Sequence, residues 1–341
     1  MKDLIIKECY KPFESYEKTQ QAIKLVKDFF QQELAYRLKL QRVTAPLFVT
    51  TKSGLNDNLS GVERVVSFTV KDLDEENAEI VQSLAKWKRM ALGKFKVEPH
   101  RGIYTDMNAI RRDEKLDNLH SIYVDQWNWE KMITGSDRTS EYLRSTVKIL
   151  YECFKNLEEY VNNLYPDLVL MMPDDIFFIT SEELLKMYPD IPAPQREYEI
   201  VKKKRAVFIE KIGGKLSDGT VHDGRAPDYD DWELNGDIIL WSDMLDAPME
   251  ISSMGVRVDE KSMLNQLKAA KKEERAKLEF HKKVLNGELP LTIGGGIGQS
   301  RLCLYFLKRM SSSSILSSMK ISLIPDPEYL TFWLKTACRE P

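Results

Sequence analysis

The chain has 341 residues, 43% of them hydrophobic, and its 50 Lys and Arg against 53 Asp and Glu leave a formal net charge of −3. That length and apolar content build one large core or two modest ones, and they exclude a disordered or fibrous protein. Balanced charge without a basic tail gives no reason to expect a nucleic-acid surface, and no signal sequence or apolar run near the roughly 18 residues of a membrane span is present.

Residues 16–40 place Ile23, Val26, Phe29, Phe30, Leu34 and Leu38 at helical spacing among Lys, Gln and Glu, which predicts a long amphipathic helix. The following stretch, 42–49, is extended; Pro46 forbids a central hydrogen-bonded position there, so an edge strand or an interface is expected. Segments 62–70 and 80–84 read as strands around an acidic turn at 71–77, and 102–110 and 120–127 are extended as well. A second long helix is expected over 139–163, a strand within 168–179, a surface loop with Pro189, Pro192 and Pro194 over 187–203, and another strand over 205–210. After Gly236, segments 237–241 and 249–258 look like paired strands, and a charged helix follows over about 260–285. Most strands succeed one another through turns, which favours an antiparallel α+β domain over a doubly wound one. The cysteines Cys9, Cys153, Cys303 and Cys338 are scattered without a Cys-x-x-Cys pair, which argues for a reducing, cytoplasmic compartment and against structural zinc.

Polar clusters stand where a buried face would want apolar residues. Asp57 is the only acid in the glycine-bounded loop 53–61, which alone reads as a turn. Ser83 precedes three cations, Lys86, Lys88 and Arg89, suited either to a solvated helix face or to neutralising phosphate or carboxylate. Arg111 ends a predicted strand and can aim a bidentate fork at a phosphoryl group, with Glu114 placed to hold the fork or to accept from an adenine amine. In the next strand Gln126 and Asn128 share one face and Trp127 and Trp129 the other, while His120 reads as a hydrogen-bonded structural histidine. Arg225 and Asp230 lie in an acidic stretch. Asp237 closes a turn into one strand and Glu250 starts its neighbour, so a hairpin brings both carboxylates to a common end, as a Mg²⁺ site or as an acidic rim.

Segment 292–301 sets four glycines, Gly294, Gly295, Gly296 and Gly298, before Arg301 and the apolar run 302–307, which reads as a buried helix. Glycines there let a nucleotide approach the backbone, at roughly 0.5–1 kcal/mol each inside a regular element. Arg301 projects near the positive end of the helix, which suits an anion. The spacing fits neither the Rossmann fingerprint nor a P-loop, and a glycine turn kept for packing is the other reading. Arginine forks, clustered acids and a glycine-rich wall together suggest nucleotidyl or phosphoryl transfer, without choosing between the α- and γ-phosphorus.

These strings, including 57–61, 83–89, 120–127, 213–219, 225–232, 234–237, 252–255 and 292–301, resemble the ammonia-dependent aspartate–ammonia ligases, also called asparagine synthetase A. That family's fold is similar to the class II aminoacyl-tRNA synthetase catalytic core, an antiparallel sheet flanked by helices. The resemblance runs from about 15 to 305. It implies a single catalytic domain over 1–309, a divergent tail at 310–341, and a homodimer with the Pro46 segment at or near the interface. It implies ATP as a substrate and Mg²⁺ as cofactor, with Arg111 gripping the α-phosphate and Arg301 as its partner. Glu114, Arg225, Gly296 and Gly298 fall on the nucleotide side, and Asp237 and Glu250 on the magnesium side. Asp57, Ser83, Lys88, Gln126, Asn128, Asp230 and Ser253 would surround aspartate or the attacking amine. The implied reaction activates aspartate as β-aspartyl-AMP, releasing pyrophosphate, and ammonia then displaces AMP to give asparagine.

The sequence departs from the family pattern at three places. Asn128 stands where an aspartate is expected in Trp-Asp-Trp-Glu, removing a negative charge that could pair with the substrate ammonium. The tail lacks the histidine–isoleucine–glycine and valine–tryptophan–proline strings, and a short insertion expected after Trp232 is absent. The rival is a class II tRNA ligase or its non-catalytic binding relative, which should add an anticodon-binding domain; the matching pattern begins within the first 60 residues and no basic appendage accompanies it.

Overall fold

The computed structural model describes residues 15–308 apart from 58 and 60–62. Cys9, Cys338, the tail at 310–341, and Asn58, Ser60, Gly61 and Val62 of the Asp57 loop and its following strand lie outside the described residues. The chain opens with helix α1 (Tyr16–Leu38), capped by Ser15 and ended by Lys39 in the left-handed region at φ 58°. Strands β1 (Leu40–Arg42), β2 (Phe48–Thr50), β3 (Ser67–Val70) and β4 (Glu76–Ile80) follow, then helix α2 (Ala85–Phe95) and the long strands β5 (Gly102–Ile110) and β6 (Tyr123–Met132). Helix α3 (Ser140–Leu164) leads to β7 (Phe177–Thr180), α4 (Ser181–Met187), α5 (Ala193–Lys204) and β8 (Ala206–Glu210). Hairpin β9 (Asp230–Ser242) and β10 (Ala247–Arg257), helices α6 (Glu260–Ala269) and α7 (Glu279–Leu285), strand β11 (Thr292–Gly298) and helix α8 (Gln299–Phe306) complete the described chain.

Eight strands form one sheet in the order β1-β5-β6-β11-β10-β9-β8-β7, antiparallel except at its two ends, where β1 runs parallel to β5 and β7 to β8. A second, antiparallel sheet, β2-β4-β3, has three strands. Period-two alternation decides what each face of the large sheet carries. Trp127, Trp129, Ile238, Leu240, Met254, Val256, Ile293 and Ile297 belong to one buried core with the apolar stripes of α1, α3 and α8. There Phe30 of α1 packs on Trp127 at 5.1 Å and on Phe154 at 5.3 Å. The residues between them in sequence, such as Gln126, Asn128 and Ser253, carry the polar face. Ile239 and Trp241 at the far end of the sheet are covered by α4 and α5, and α2, α6 and α7 enclose a separate apolar cluster around Met90, Met263 and Phe280.

Several expected elements take a different form. The segment expected as a surface loop, 187–203, contains α5: Pro192 is its N-cap and Pro194 lies in its first turn, where a missing N–H costs nothing, and Ile200 and Val201 point into the core. Strand β4 begins inside the predicted acidic turn and ends where a strand was expected to begin, because Ala78 is its inward residue and Gln82 turns away to hold the earlier Asp57 loop. The charged helix over 260–285 is α6 and α7 separated by a 3-10 turn, Glu273–Lys277. The stretch 168–179 is strand only from Phe177, and the one at 120–127 starts at Tyr123 and runs on to Met132. The glycine-rich segment is a regular strand in the middle of the sheet, paired on both sides. Asp237 lies within β9 opposite Ser253, not at a turn, because the strand starts at Asp230; the two acids meet along the hairpin rather than at its end.

Candidate active site

On the polar face of the large sheet is a cavity of about 340 Å³. It is lined by Asp57, Ser83, Lys88, Arg111, Glu114, Gln126, Asn128, Arg225, Asp230, Glu250, Ser253, Gly296, Gly298 and Arg301. Of the residues expected at the site only Asp237 does not reach the wall; it sits behind Arg225.

The glycines of β11 create the floor. A Cβ on Gly296 would stand 2.7 Å from Gln126 Oε1 and 3.4 Å from Asn128 Nδ2, the two amides being joined by a 3.0 Å hydrogen bond. A Cβ on Gly294 would collide with Glu130 Oε2 and the Arg257 guanidinium, so this glycine makes room for an ion network below the floor. Arg257 donates to Glu130 through Nε at 2.9 Å and Nη2 at 2.7 Å, and its Nη1 donates to Asp230. Glu130 also accepts from Thr292 Oγ1 at 2.7 Å. Despite burial, these partners hold the Glu130 carboxyl below its usual range and raise the Arg257 guanidinium.

Lys88 reaches the cavity from α2 and is 1% exposed. Its Nζ donates to the carbonyls of Trp129 at 2.8 Å and Gly295 at 3.1 Å and lies 3.6 Å from Glu130. Burial pushes its ammonium down to about 7 against the pull of Glu130. Lys86, Lys88 and Arg89 are all buried, so the solvated-face reading of that cluster is wrong. Arg89 instead fixes α2 through the carbonyls of Pro290 and Val258. The Asp57 loop is tied to β4 and its continuation: Asn56 Nδ2 donates to Ile80 O, Asn56 Oδ1 accepts from Gln82 N, and Gln82 Nε2 donates to Asp57 O. Burial raises the carboxyls of Asp57 and Asp230, opposed by Lys86 and Arg257 respectively.

Among the residues expected to face a nucleotide, Arg111 follows the last residue of β5; its Nη1 is 3.8 Å from Glu114, and its buried Nε makes no hydrogen bond. Arg301 lies in the first turn of α8, with Nη1 donating to Glu250 O at 3.0 Å and 3.5 Å from the Glu250 carboxylate. Asp125 anchors that helix: Ser300 donates to it through N and Oγ, and Lys27 of α1 salt-bridges its other oxygen at 2.8 Å. Arg225 donates to Asp223 and Asp237. Burial, with the Glu250 charge, pushes Asp237 up to about 7 in spite of Arg225. Its Oδ1 is buried without a hydrogen bond of normal geometry, although Ser253 opposite interacts favourably with the carboxylate. Asp237 Oδ1 and the exposed Glu250 carboxylate are the two acids that could serve a hard cation keeping waters and phosphate oxygens; among the described residues no group of three His, Cys, Asp or Glu is placed to hold a metal. His120 bonds Asp117 at 2.9 Å, as expected of a structural histidine, while lining the cavity rim.

Arg257, Glu130 and Asp125 were not singled out in the sequence. A charged residue between two valines on a paired strand, Val256-Arg257-Val258, is the one local signal that an inward face holds an ion.

The aspartate-ammonia ligase family model matches residues 17–321. The chain is 56% identical over 316 residues to the aspartate--ammonia ligase of Clostridium tetani, covering 93% of each chain. It is 50% identical over 328 residues to that of Bacteroides fragilis, covering 94% of this chain and 95% of the relative. In fold it is similar to Entamoeba histolytica asparaginyl-tRNA synthetase, with a TM-score of 0.62 at 11% identity over 89% of this chain and 66% of that one. The asparaginyl-tRNA synthetase of Pyrococcus horikoshii complexed with asparaginyl-adenylate gives 0.62 at 14%, covering 87% and 68%. This chain spans about two thirds of those synthetases, and the likeness is one of fold: a class II aminoacyl-tRNA synthetase-like α+β core. On sequence, over nearly its whole length, the chain belongs to the aspartate-ammonia ligase family.

Proposed function

We propose that this cavity makes asparagine in two steps, through β-aspartyl-AMP. Arg111 and Arg301, from different elements, line the same space as Asp57, Lys88 and Gln126, so a nucleotide phosphate and a small zwitterion fit side by side. That juxtaposition carries the reading. The aspartate side-chain carboxylate attacks the α-phosphorus, the bond from that phosphorus to the α,β-bridging oxygen breaks, and pyrophosphate leaves. The two guanidiniums meet the charge that develops on the α-phosphoryl oxygens. Mg²⁺ would neutralise the phosphates of ATP, with Glu250 at the wall and Asp237, behind Arg225, as the acids that would hold it.

Asp57, Lys88, Gln126 and Asp230 hold the amino acid by its charges, and Asn128 extends this wall as a neutral donor and acceptor. Ammonia then attacks the activated carbonyl and AMP departs. Asp57 or Asp230, both buried and raised, binds the ammonium ion and takes its proton. We place the protein in the cytoplasm as a homodimer, a reading supported by the free buried thiols of Cys153 and Cys303 and by exposed Leu47 and Phe48 beside Pro46. It requires neither nucleic acid nor membrane; among the described residues no helix is long and apolar enough to cross one. ATP–pyrophosphate exchange with each amino acid separately tests the reading. Exchange with aspartate alone is expected, and exchange supported by asparagine or by no amino acid would overturn it.

A further inference from the structure

Two buried ions stand behind the amino-acid end of the cavity without reaching its space. Asp228 is 0% exposed, on the segment ahead of β9, and Lys86 is 4% exposed, in the first turn of α2. Lys86 Nζ donates to Asp228 Oδ2 at 3.3 Å. The same oxygen accepts from Arg275 Nη1 at 3.0 Å, in the 3-10 turn, and meets His281 Nε2 of α7 at 2.9 Å. Lys86 and Asp228 do not line the cavity, although their neighbours Ala85, Ala226, Tyr229 and Asp230 do. Asp57 does line it, and both ions act on Asp57: the Lys86 ammonium favours its carboxylate and the Asp228 charge opposes it. A buried pair of this kind is weak evidence for stability, since well-packed apolar residues often serve as well. Its place behind the site points to another use.

We propose that Lys86 and Asp228 are positioning residues of the ligase reaction, which together hold Asp57 as the anionic wall of the amino-acid subsite. Lys86 supplies the compensating positive charge that a buried carboxylate needs. Asp228 tethers Lys86, so that the ammonium supports Asp57 from behind while Leu59 N holds Asp57 Oδ1 at 3.0 Å, which leaves Oδ2 for the substrate. Untethered, a flexible lysine would close on Asp57 and compete with the ammonium group that Asp57 is there to bind. The other charged or titratable groups facing Asp57 are Arg111 from the end of β5 and Tyr229 from the segment ahead of β9. Those facing Asp228 are Lys86, His281, Arg275 and Asp57. The inference rests on the reading of Asp57 as the residue that faces the substrate ammonium.

The test is the pH profile of aspartate-dependent pyrophosphate exchange by the full chain, a half-reaction that needs no ammonia. Lys86→Met removes the supporting cation, so Asp57 takes up its proton more readily. The acid limb of the profile moves to higher pH, and the aspartate KM at neutral pH rises about tenfold with the ATP KM unchanged. Lys86→Arg keeps the charge and returns the limb towards its parental position. Asp228→Asn removes an opposing charge and frees Lys86, so the limb moves the other way, to lower pH, while the aspartate KM again rises. A packing defect would not move the limb in opposite directions. An unchanged profile in Lys86→Met, or the same direction of shift in both variants, overturns the inference. If Asp228→Asn does not fold, the Met and Arg substitutions at position 86 decide between the same outcomes. Asp57→Asn separates the two levels: a parental aspartate KM there would overturn the reading of Asp57 itself, and with it the inference. A selective aspartate loss in Asp57→Asn beside an unmoved Lys86→Met profile overturns the inference alone.

Discussion

Arg111 keeps a buried Nε without a hydrogen bond, and Arg301 is held mainly by one backbone carbonyl, so both guanidiniums retain donors for a phosphoryl group. Replacing either by Ala is expected to lower pyrophosphate exchange by about 100- to 1,000-fold, because the lost donors act where charge develops. Circular dichroism should remain parental; near-normal exchange would remove the residue from the phosphate site. Lys88 makes a different kind of prediction. Burial holds its ammonium down to about 7, so at pH 8 the free enzyme carries it mostly neutral. An aspartate carboxylate arriving beside it favours the charged form, so binding at pH 8 takes up a proton. Calorimetry in two buffers of different ionisation heat should show that uptake, and Lys88→Met should abolish the Lys88 share of it. Equal enthalpies in both buffers for the parent, and no change in the variant, would mean that no substrate carboxylate meets Lys88. Asn128 also has a consequence: it donates to Gln126 as a neutral amide where the resemblance led us to expect an aspartate. With it neutral, we expect the negative wall of the proposed amino-acid subsite to fall to Asp57 and Asp230.

At the scale of elements, β11 shows why four glycines stand within 294–298. They serve different neighbours. Gly294→Ala would drive a methyl into the buried Glu130–Arg257 pair, which cannot retreat, and is expected to destabilise the fold by about 1–3 kcal/mol. Gly296→Ala meets the far end of the flexible Gln126 side chain, so the fold should keep its stability while the cavity floor is lost. Urea unfolding of both variants beside their exchange rates checks this; equal stability losses would mean that the strand is glycine-rich for packing alone. The same strand marks the boundary of what local pattern revealed. Alternation of Gln126 and Asn128 against Trp127 and Trp129 was legible, because period two depends only on neighbours in sequence. The expected segments 102–110 and 139–163 match β5 and, within one residue at each end, α3. Helix α5 was not legible, since prolines at a helix start and prolines in a loop look alike until Ile200 and Val201 find their core. Asp228 was illegible for another reason: Lys86 is 142 residues away from it and His281 is 53, and neither separation leaves a trace in local sequence.

At the scale of the molecule, Leu47 is 53% exposed and Phe48 47%, the latter packed edge-on against Phe68 at 5.2 Å, beside the Pro46 segment. Apolar side chains at that exposure suit burial between two copies, and Leu47→Asp with Phe48→Asp should convert the sedimenting species from dimer to monomer. An unchanged dimer would move the interface elsewhere. The nitrogen source is also a property of the whole chain. Use of glutamine needs an activated nucleophile, usually a cysteine thiolate with a base or a terminal amine, and an oxyanion hole. Cys153 and Cys303 are fully buried, and burial pushes both thiols up to about 12, so at neutral pH neither supplies a thiolate. Cys153 lies in the core face of α3, and Cys303 lies two residues past Arg301 on the inward side of α8. Neither lines the cavity. Among the described residues no thiolate faces the cavity, so we expect ammonia from solution to be the nucleophile and a raised carboxylate, Asp57 or Asp230, to take its proton. Incubation with aspartate, ATP and Mg²⁺ should give asparagine and AMP in equal amounts with ammonium and almost none with ammonia-free glutamine. Comparable yields from glutamine, in a preparation free of glutaminase, would require a nucleophile outside the described residues or a partner that delivers ammonia. Loss of that activity on blocking exposed thiols would distinguish the first case from the second.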